Sequence, residues 1–141
     1  MKLQLARRYR FAASHRLHSA VLTEDENWRA YGKCNNPFGH GHNYVLEVAV
    51  SGAVDPATGM IANLVDLDSF VDREVIEPFD HVYLNEDVAA FRERVPTTEN
   101  VCIEIYDRLR KFPQAKLERV RLEETGLNSF EYTGERGESR P

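Results

Sequence analysis

Cysteine is scarce in this chain: Cys34 and Cys102 are the only two in 141 residues. That excludes the disulfide framework of a small secreted domain and fits a reducing compartment. No stretch approaches 18 consecutive apolar residues, so no membrane-spanning helix is expected. The opening MKLQLARRYRF lacks the apolar centre of a secretion signal, and the expected location is the cytoplasm. Positive charge is not in excess. A net charge of −5 argues against a dedicated nucleic-acid binder, which would carry a basic face. A glycine-rich phosphate loop is missing, which excludes nucleotide hydrolysis of that kind. Internal repeats and low-complexity tracts are missing too. A small molecule is therefore the expected partner, rather than nucleic acid or membrane.

What is present describes an ordinary globular domain, with 42% hydrophobic and 29% charged residues. Residues 1–134 read as a single domain and 135–141, ERGESRP, as a disordered tail. Residues 2–15 alternate, with Leu3, Leu5, Tyr9, Phe11, Ala13 and His15 on one parity and Arg7 as the exception; this predicts a half-buried strand. TEDENWRAYG, 23–32, carries helix caps at both ends. His40, His42, Tyr44, Leu46, Val48 and Val50 share the apolar parity of a second strand. After the turn DPATG, MIANLVDL at 60–67 reads as a third strand that closes a hairpin. Asp66 or Asp68 would cap a helix running through Ile76, with Pro78 marking its end. DHVYLNED, 80–87, reads as a loop. PTTENVCIEIYDRLRKFP, 96–113, is the clearest helix, capped by Thr97 or Thr98. LERVRLEE, 117–124, and SFEYTG, 129–134, read as closing strands. Strands with helices grouped between them predict an α+β fold, an antiparallel sheet with two helices on one face.

The stretch KCNNPFGHGHNY, 33–44, concentrates chemistry. His40 and His42 stand two apart on a strand, so their Cα atoms lie roughly 6.6 Å apart and both rings point the same way. Such a pair can converge on one ion. His15, at the end of the first strand, is the third candidate if the two strands pair; His18 is a substitute off the parity. Three imidazoles with one open position describe a catalytic zinc site. Cys34 as a fourth ligand would instead close it and make it structural. Glu124 shares the inward parity of Val120 and Leu122, and an inward carboxylate needs a partner.

FAASHRL, GKCNNPFGHGHNY, DPATGMIANLVDL, DHVYLN, PTTENV and LEET occur in this order at suitable separations. Together they resemble the 6-pyruvoyl-tetrahydropterin synthase family, in a superfamily shared with 6-carboxy-tetrahydropterin synthase. The likeness spans about residues 3 to 133. It implies a tunnelling fold whose subunits join their sheets into a barrel, usually a homohexamer built as a dimer of trimers. It implies zinc on His15, His40 and His42, and Cys34 as the catalytic base. Asp80 and His81 would complete a proton relay across a subunit interface. Glu124 would anchor the pterin ring, with Thr97 and Thr98 lining its pocket. The implied reaction is a lyase step on 7,8-dihydroneopterin triphosphate that yields 6-pyruvoyl-tetrahydropterin. Five residues separate Cys34 from His40, and the carboxy-forming relatives have a shorter gap, so the pyruvoyl branch is expected. The alternatives are 6-carboxy-tetrahydropterin formation and a non-catalytic zinc- or pterin-binding relative. Arg7, Arg8, Arg10, Arg16 and Lys33 are the cations available for a triphosphate. Lys33 and zinc would both lower the Cys34 pKa.

Overall fold

The structure, a computed structural model, describes residues 2–134. The tail expected to be disordered lies outside the described residues. Strands β1 (Lys2–His15), β2 (His40–Ala53), β3 (Val82–Tyr83), β4 (Lys116–Thr125) and β5 (Asn128–Tyr132) form one sheet in the order β3-β1-β2-β4-β5. All neighbours run antiparallel except β3, which lies parallel to the end of β1. The helices are α1 (Glu24–Tyr31), α2 (Leu64–Val71), α3 (Glu77–Phe79), α4 (Leu84–Asp87) and α5 (Thr98–Leu109). Their apolar residues, Leu67, Phe70 and Val71 from α2 with Val101, Ile105 and Leu109 from α5, meet the inward face of the sheet. That face carries Phe11, Tyr44, Leu46, Val48, Val120 and Leu122.

The alternation of β1 and β2 holds. Arg7, the exception to parity, is explained by α2: its guanidinium donates to both oxygens of Asp68, at 2.6 and 2.7 Å, and the Tyr9 hydroxyl donates to the same carboxylate at 2.7 Å. The opposite face of the sheet is charged. Glu47 sits between Arg8 (3.2 Å) and Arg119 (2.6 Å), and this pairing holds its carboxyl below the usual range.

Three expectations are corrected. MIANLVDL is not a strand. Met60–Asn63 is irregular and Leu64 opens α2, because the Asn63 side chain accepts hydrogen bonds from the Val65 and Asp66 N–H groups and so nucleates a helix. β2 therefore forms no hairpin with it and pairs with β1 and β4 instead. Pro78 does not end the helical run at Ile76. The chain passes through a π turn, Asp72–Ile76, into α3. A proline there leaves the carbonyl four residues back without its donor. That carbonyl, of Glu74, accepts from Arg108 at 3.2 Å instead. Finally, DHVYLNED contains β3 and α4 rather than a bare loop.

Candidate metal centre

The register of β1 against β2 builds the site. Fourteen cross-strand pairs run from Lys2 opposite Ala53 to His15 opposite His40. The last pairs therefore put His15, His40 and His42 on one face, at the end of the core. Gly39 makes this possible. It has φ +69°, and a Cβ there would stand 2.9 Å from the His15 carbonyl oxygen.

The His15 ring is fully buried. Its Nδ1 lies 2.9 Å from the Pro96 carbonyl oxygen. A carbonyl only accepts, so Nδ1 carries the proton and Nε2 presents a lone pair. Burial pushes the ring's pKa down to about 4 and keeps it neutral. His42 Nε2 lies 3.1 Å from His15 Nε2. Burial lowers the His42 pKa as well, against an opposing pull from Glu124. Cys34 Sγ lies 3.1 Å from His40 Nε2. One ligand atom from each of His15, Cys34, His40 and His42 falls within 4.8 Å of all the others. Nitrogen ligands at zinc-like bond lengths stand about 3.3 Å apart in a tetrahedron. The chain thus holds a donor set of the right size for one metal ion, three imidazoles and a thiol. Cys34 is close enough to serve as fourth ligand or as a base beside an open position.

The Cys34 thiol is pushed up, first by burial and then by the Glu124 carboxylate. The lowering expected from Lys33 is not seen; that side chain is exposed. Glu124 stands at the end of β4. The Thr98 hydroxyl donates to its Oε2, and its Oε1 lies 3.9 Å from His42 Nε2. Among the described residues no arginine pairs with it. Thr97 is the N-cap of α5, its hydroxyl accepting from the Asn100 N–H at 3.2 Å.

Asp80 and His81 lie elsewhere. Asp80 Oδ1 accepts from the Ala12 N–H (2.8 Å), and the His81 N–H donates to the Ala12 carbonyl (2.6 Å). These two bonds hold His81 in the left-handed region, φ +59°. Its ring Nδ1 is 2.9 Å from Asp80 Oδ2 and its side chain is 82% exposed. Within one chain no hydrogen bond or ion pair joins this dyad to Cys34. The Ala12 N–H, then His81, lower the Asp80 pKa. His18 stays outside the cluster, 3.1 Å from the Asn35 side chain. Of the five candidate cations, Arg7 and Arg8 are occupied by Asp68 and Glu47, and Arg16 donates to the Asn35 carbonyl. The sequence held no signal for Pro96, which acts through its carbonyl, and only polarity for Asn35 and Asn85.

The sequence profile of the family described as 6-pyruvoyl tetrahydropterin synthase matches residues 4–135. The chain belongs to this family. It is 48% identical over 133 residues to the human 6-pyruvoyl tetrahydrobiopterin synthase, covering 94% of this chain and 92% of that one. The 6-carboxy-5,6,7,8-tetrahydropterin synthase of Haemophilus influenzae is 29% identical over 121 residues, covering 72% and 84%. The solved structure of the Caenorhabditis elegans 6-pyruvoyl tetrahydropterin synthase superposes with a TM-score of 0.90 at 40% identity, covering 95% of this chain and 96% of that one. The expected tunnelling fold follows from this membership. Among the described residues no helix is long and apolar enough to cross a membrane.

Proposed function

We propose that this chain converts 7,8-dihydroneopterin triphosphate into 6-pyruvoyl-tetrahydropterin and releases triphosphate. The observation that carries the reading is the convergence of His15, His40, His42 and Cys34 within 4.8 Å, with Glu124 beside them. Zinc suits this nitrogen-and-sulfur donor set. Bound there, it would supply Lewis acidity, making the C–H bonds next to the side-chain hydroxyls easier to deprotonate.

The remaining steps belong to this chain's residues. Glu124, oriented by the Thr98 hydroxyl, receives the ring's amino group and adjacent N–H, two donors matched to one carboxylate. This fixes the side-chain carbons over Cys34. The Cys34 sulfur takes the carbon-bound proton, for which it must be thiolate. The Asp80–His81 pair carries protons at the imidazole, whose Nδ1 the carboxylate orients. Because that pair does not reach Cys34 within its own chain, it serves the site of a neighbouring subunit in a homohexamer. Protons returned to the ring reduce it while side-chain hydroxyls become carbonyls, and elimination expels triphosphate. The electrons balance internally, so no redox cofactor enters. Both cysteines are free thiols, which supports a cytoplasmic setting.

The rival product is 6-carboxy-tetrahydropterin. The longer Cys34-to-His40 spacing and the 48% against 29% identities favour the pyruvoyl reading. The test is incubation of the zinc-loaded protein with dihydroneopterin triphosphate and product analysis by mass spectrometry. A 6-pyruvoyl product with free triphosphate is expected. Acetaldehyde release with a carboxylated pterin overturns the reading in favour of the sister activity, and no turnover favours a binding protein.

A further inference from the structure

Cys34 lies in a short 3-10 turn, Gly32–Asn35, ahead of β2. Such turns have poor hydrogen-bond geometry and do not hold a side chain rigidly by themselves. What fastens this turn is the segment just after His15. The Leu17 N–H donates to the Cys34 carbonyl at 2.8 Å. The Asn35 carboxamide nitrogen donates to the Leu17 carbonyl at 2.8 Å and lies 3.1 Å from His18 Nδ1. Arg16 Nε donates to the Asn35 carbonyl at 3.2 Å. The same segment is gripped from the other side by a second carboxamide. Asn85 Oδ1 accepts from the Arg16 N–H at 2.8 Å, and Asn85 Nδ2 donates to the Arg16 carbonyl at 2.7 Å. Both backbone groups of one residue are thus satisfied by one side chain.

We infer that Asn35 and Asn85 are positioning residues for Cys34. Together they clamp residues 16–18 between α4 and the turn, and so set the sulfur 3.1 Å from His40 Nε2. Both groups are neutral, so they place the thiol without altering the charge around the imidazoles. Asn85 acts at a distance: it bonds Arg16, Arg16 and Leu17 bond the turn, and the turn carries the sulfur. A misplacement of about 1 Å at a reacting group lowers rate by about 100-fold, which is the reason for rigid support at this point. The kinetic consequence rests on Cys34 acting as the base in the proposed reaction; the geometric one does not.

The test uses metal-free protein and iodoacetamide at one fixed pH, with labelling read by peptide mass spectrometry. In wild type, Cys34 is half-buried and Cys102 buried. Asn35→Ala and Asn85→Ala should each raise the Cys34 labelling rate by about tenfold, the effect of releasing hydrogen bonds of ordinary strength. Cys102 should stay unlabelled, reporting an intact fold. In the zinc-loaded protein the same substitutions should lower kcat by about tenfold or more with KM within about twofold and the metal content unchanged. Labelling of Cys34 at the wild-type rate in Asn85→Ala, with Cys102 protected, overturns the inference. If Asn35→Ala exposes Cys102 and so fails to fold, Asn85→Ala, outside the turn, decides alone. If Asn85→Ala itself exposes Cys102, Asn85→Asp decides: it keeps the acceptor, loses only the donor, and should speed Cys34 labelling while Cys102 stays protected. Wild-type protein that turns over no substrate defeats the proposed reaction and leaves the labelling result standing.

Discussion

His15 and His40 face each other as the last rung of the β1–β2 ladder, with ring centroids 5.7 Å apart. Directly opposed residues of an antiparallel pair share a face. A slip of one residue in register would turn His15 to the charged side of the sheet. Thirteen preceding pairs hold this rung, so the metal centre inherits its geometry from the whole ladder.

Gly39→Ala should break the rung locally. The new Cβ meets a backbone oxygen at 2.9 Å in a left-handed conformation. The expected destabilisation is about 2 kcal/mol or more, from conformation and contact together. Urea unfolding of the metal-free protein checks it; a midpoint equal to wild type contradicts the close approach.

The metal-free protein should lose stability as pH falls below about 6.5. His15 is neutral in the fold with its pKa lowered to about 4, while the unfolded chain protonates near 6.5. A depressed folded pKa contributes stability above the unfolded value and loses it as pH falls through the window from 6.5 to 4. The slope approaches about 1.4 kcal/mol per pH unit inside that window. Unfolding free energies at pH 7 and pH 5 should differ more in wild type than in His15→Asn.

The role of Cys34 separates from that of the histidines by metal content. His42→Ala should lower zinc affinity by more than about 100-fold, beyond the usual effect of losing a supporting group. Cys34→Ala should keep stoichiometric zinc and lose turnover. Equal loss of zinc in both variants, read by competition with a chromophoric chelator, would make Cys34 a fourth ligand and close the site.

Glu124→Gln should weaken binding of a reduced pterin lacking the triphosphate by roughly 100-fold, since two charge-assisted hydrogen bonds are lost or made neutral. Zinc content should not change. Calorimetric titration that finds wild-type affinity would move the ring elsewhere.

The Asp80–His81 dyad sits apart from Cys34 in its own chain, and the homohexamer proposed here brings it to a neighbour's. Cys34→Ala and His81→Ala should each be inactive alone. Co-refolded, they should regain part of wild-type turnover at mixed sites. Failure to recover any activity, with mixed oligomers verified by native mass spectrometry, would place a complete site within one chain.

Much of this was legible in the residues. Period two in β1 and β2 predicted which side chains turn inward, and the two histidines one residue apart announced a shared direction. The capping threonines located α1 and α5. The region 60–79 was misread for a physical reason. MIANLVDL is apolar enough for either structure, and the choice lay in the Asn63 carboxamide capping two N–H groups. Likewise Pro78 signals a helix stop, yet Arg108, distant in sequence, supplies the hydrogen bond that proline withholds.

By itself the sequence determined which residue types could hold a metal, since imidazole and thiol chemistry is intrinsic to the side chain, and which face each strand would bury, since alternation is local. The tertiary structure alone decided that His15 meets His40 and His42, that a Pro96 carbonyl selects the His15 tautomer, and that Asp80 and His81 stand away from Cys34. Those are distances between segments remote in the chain, set by strand register and by how the helices close over the sheet.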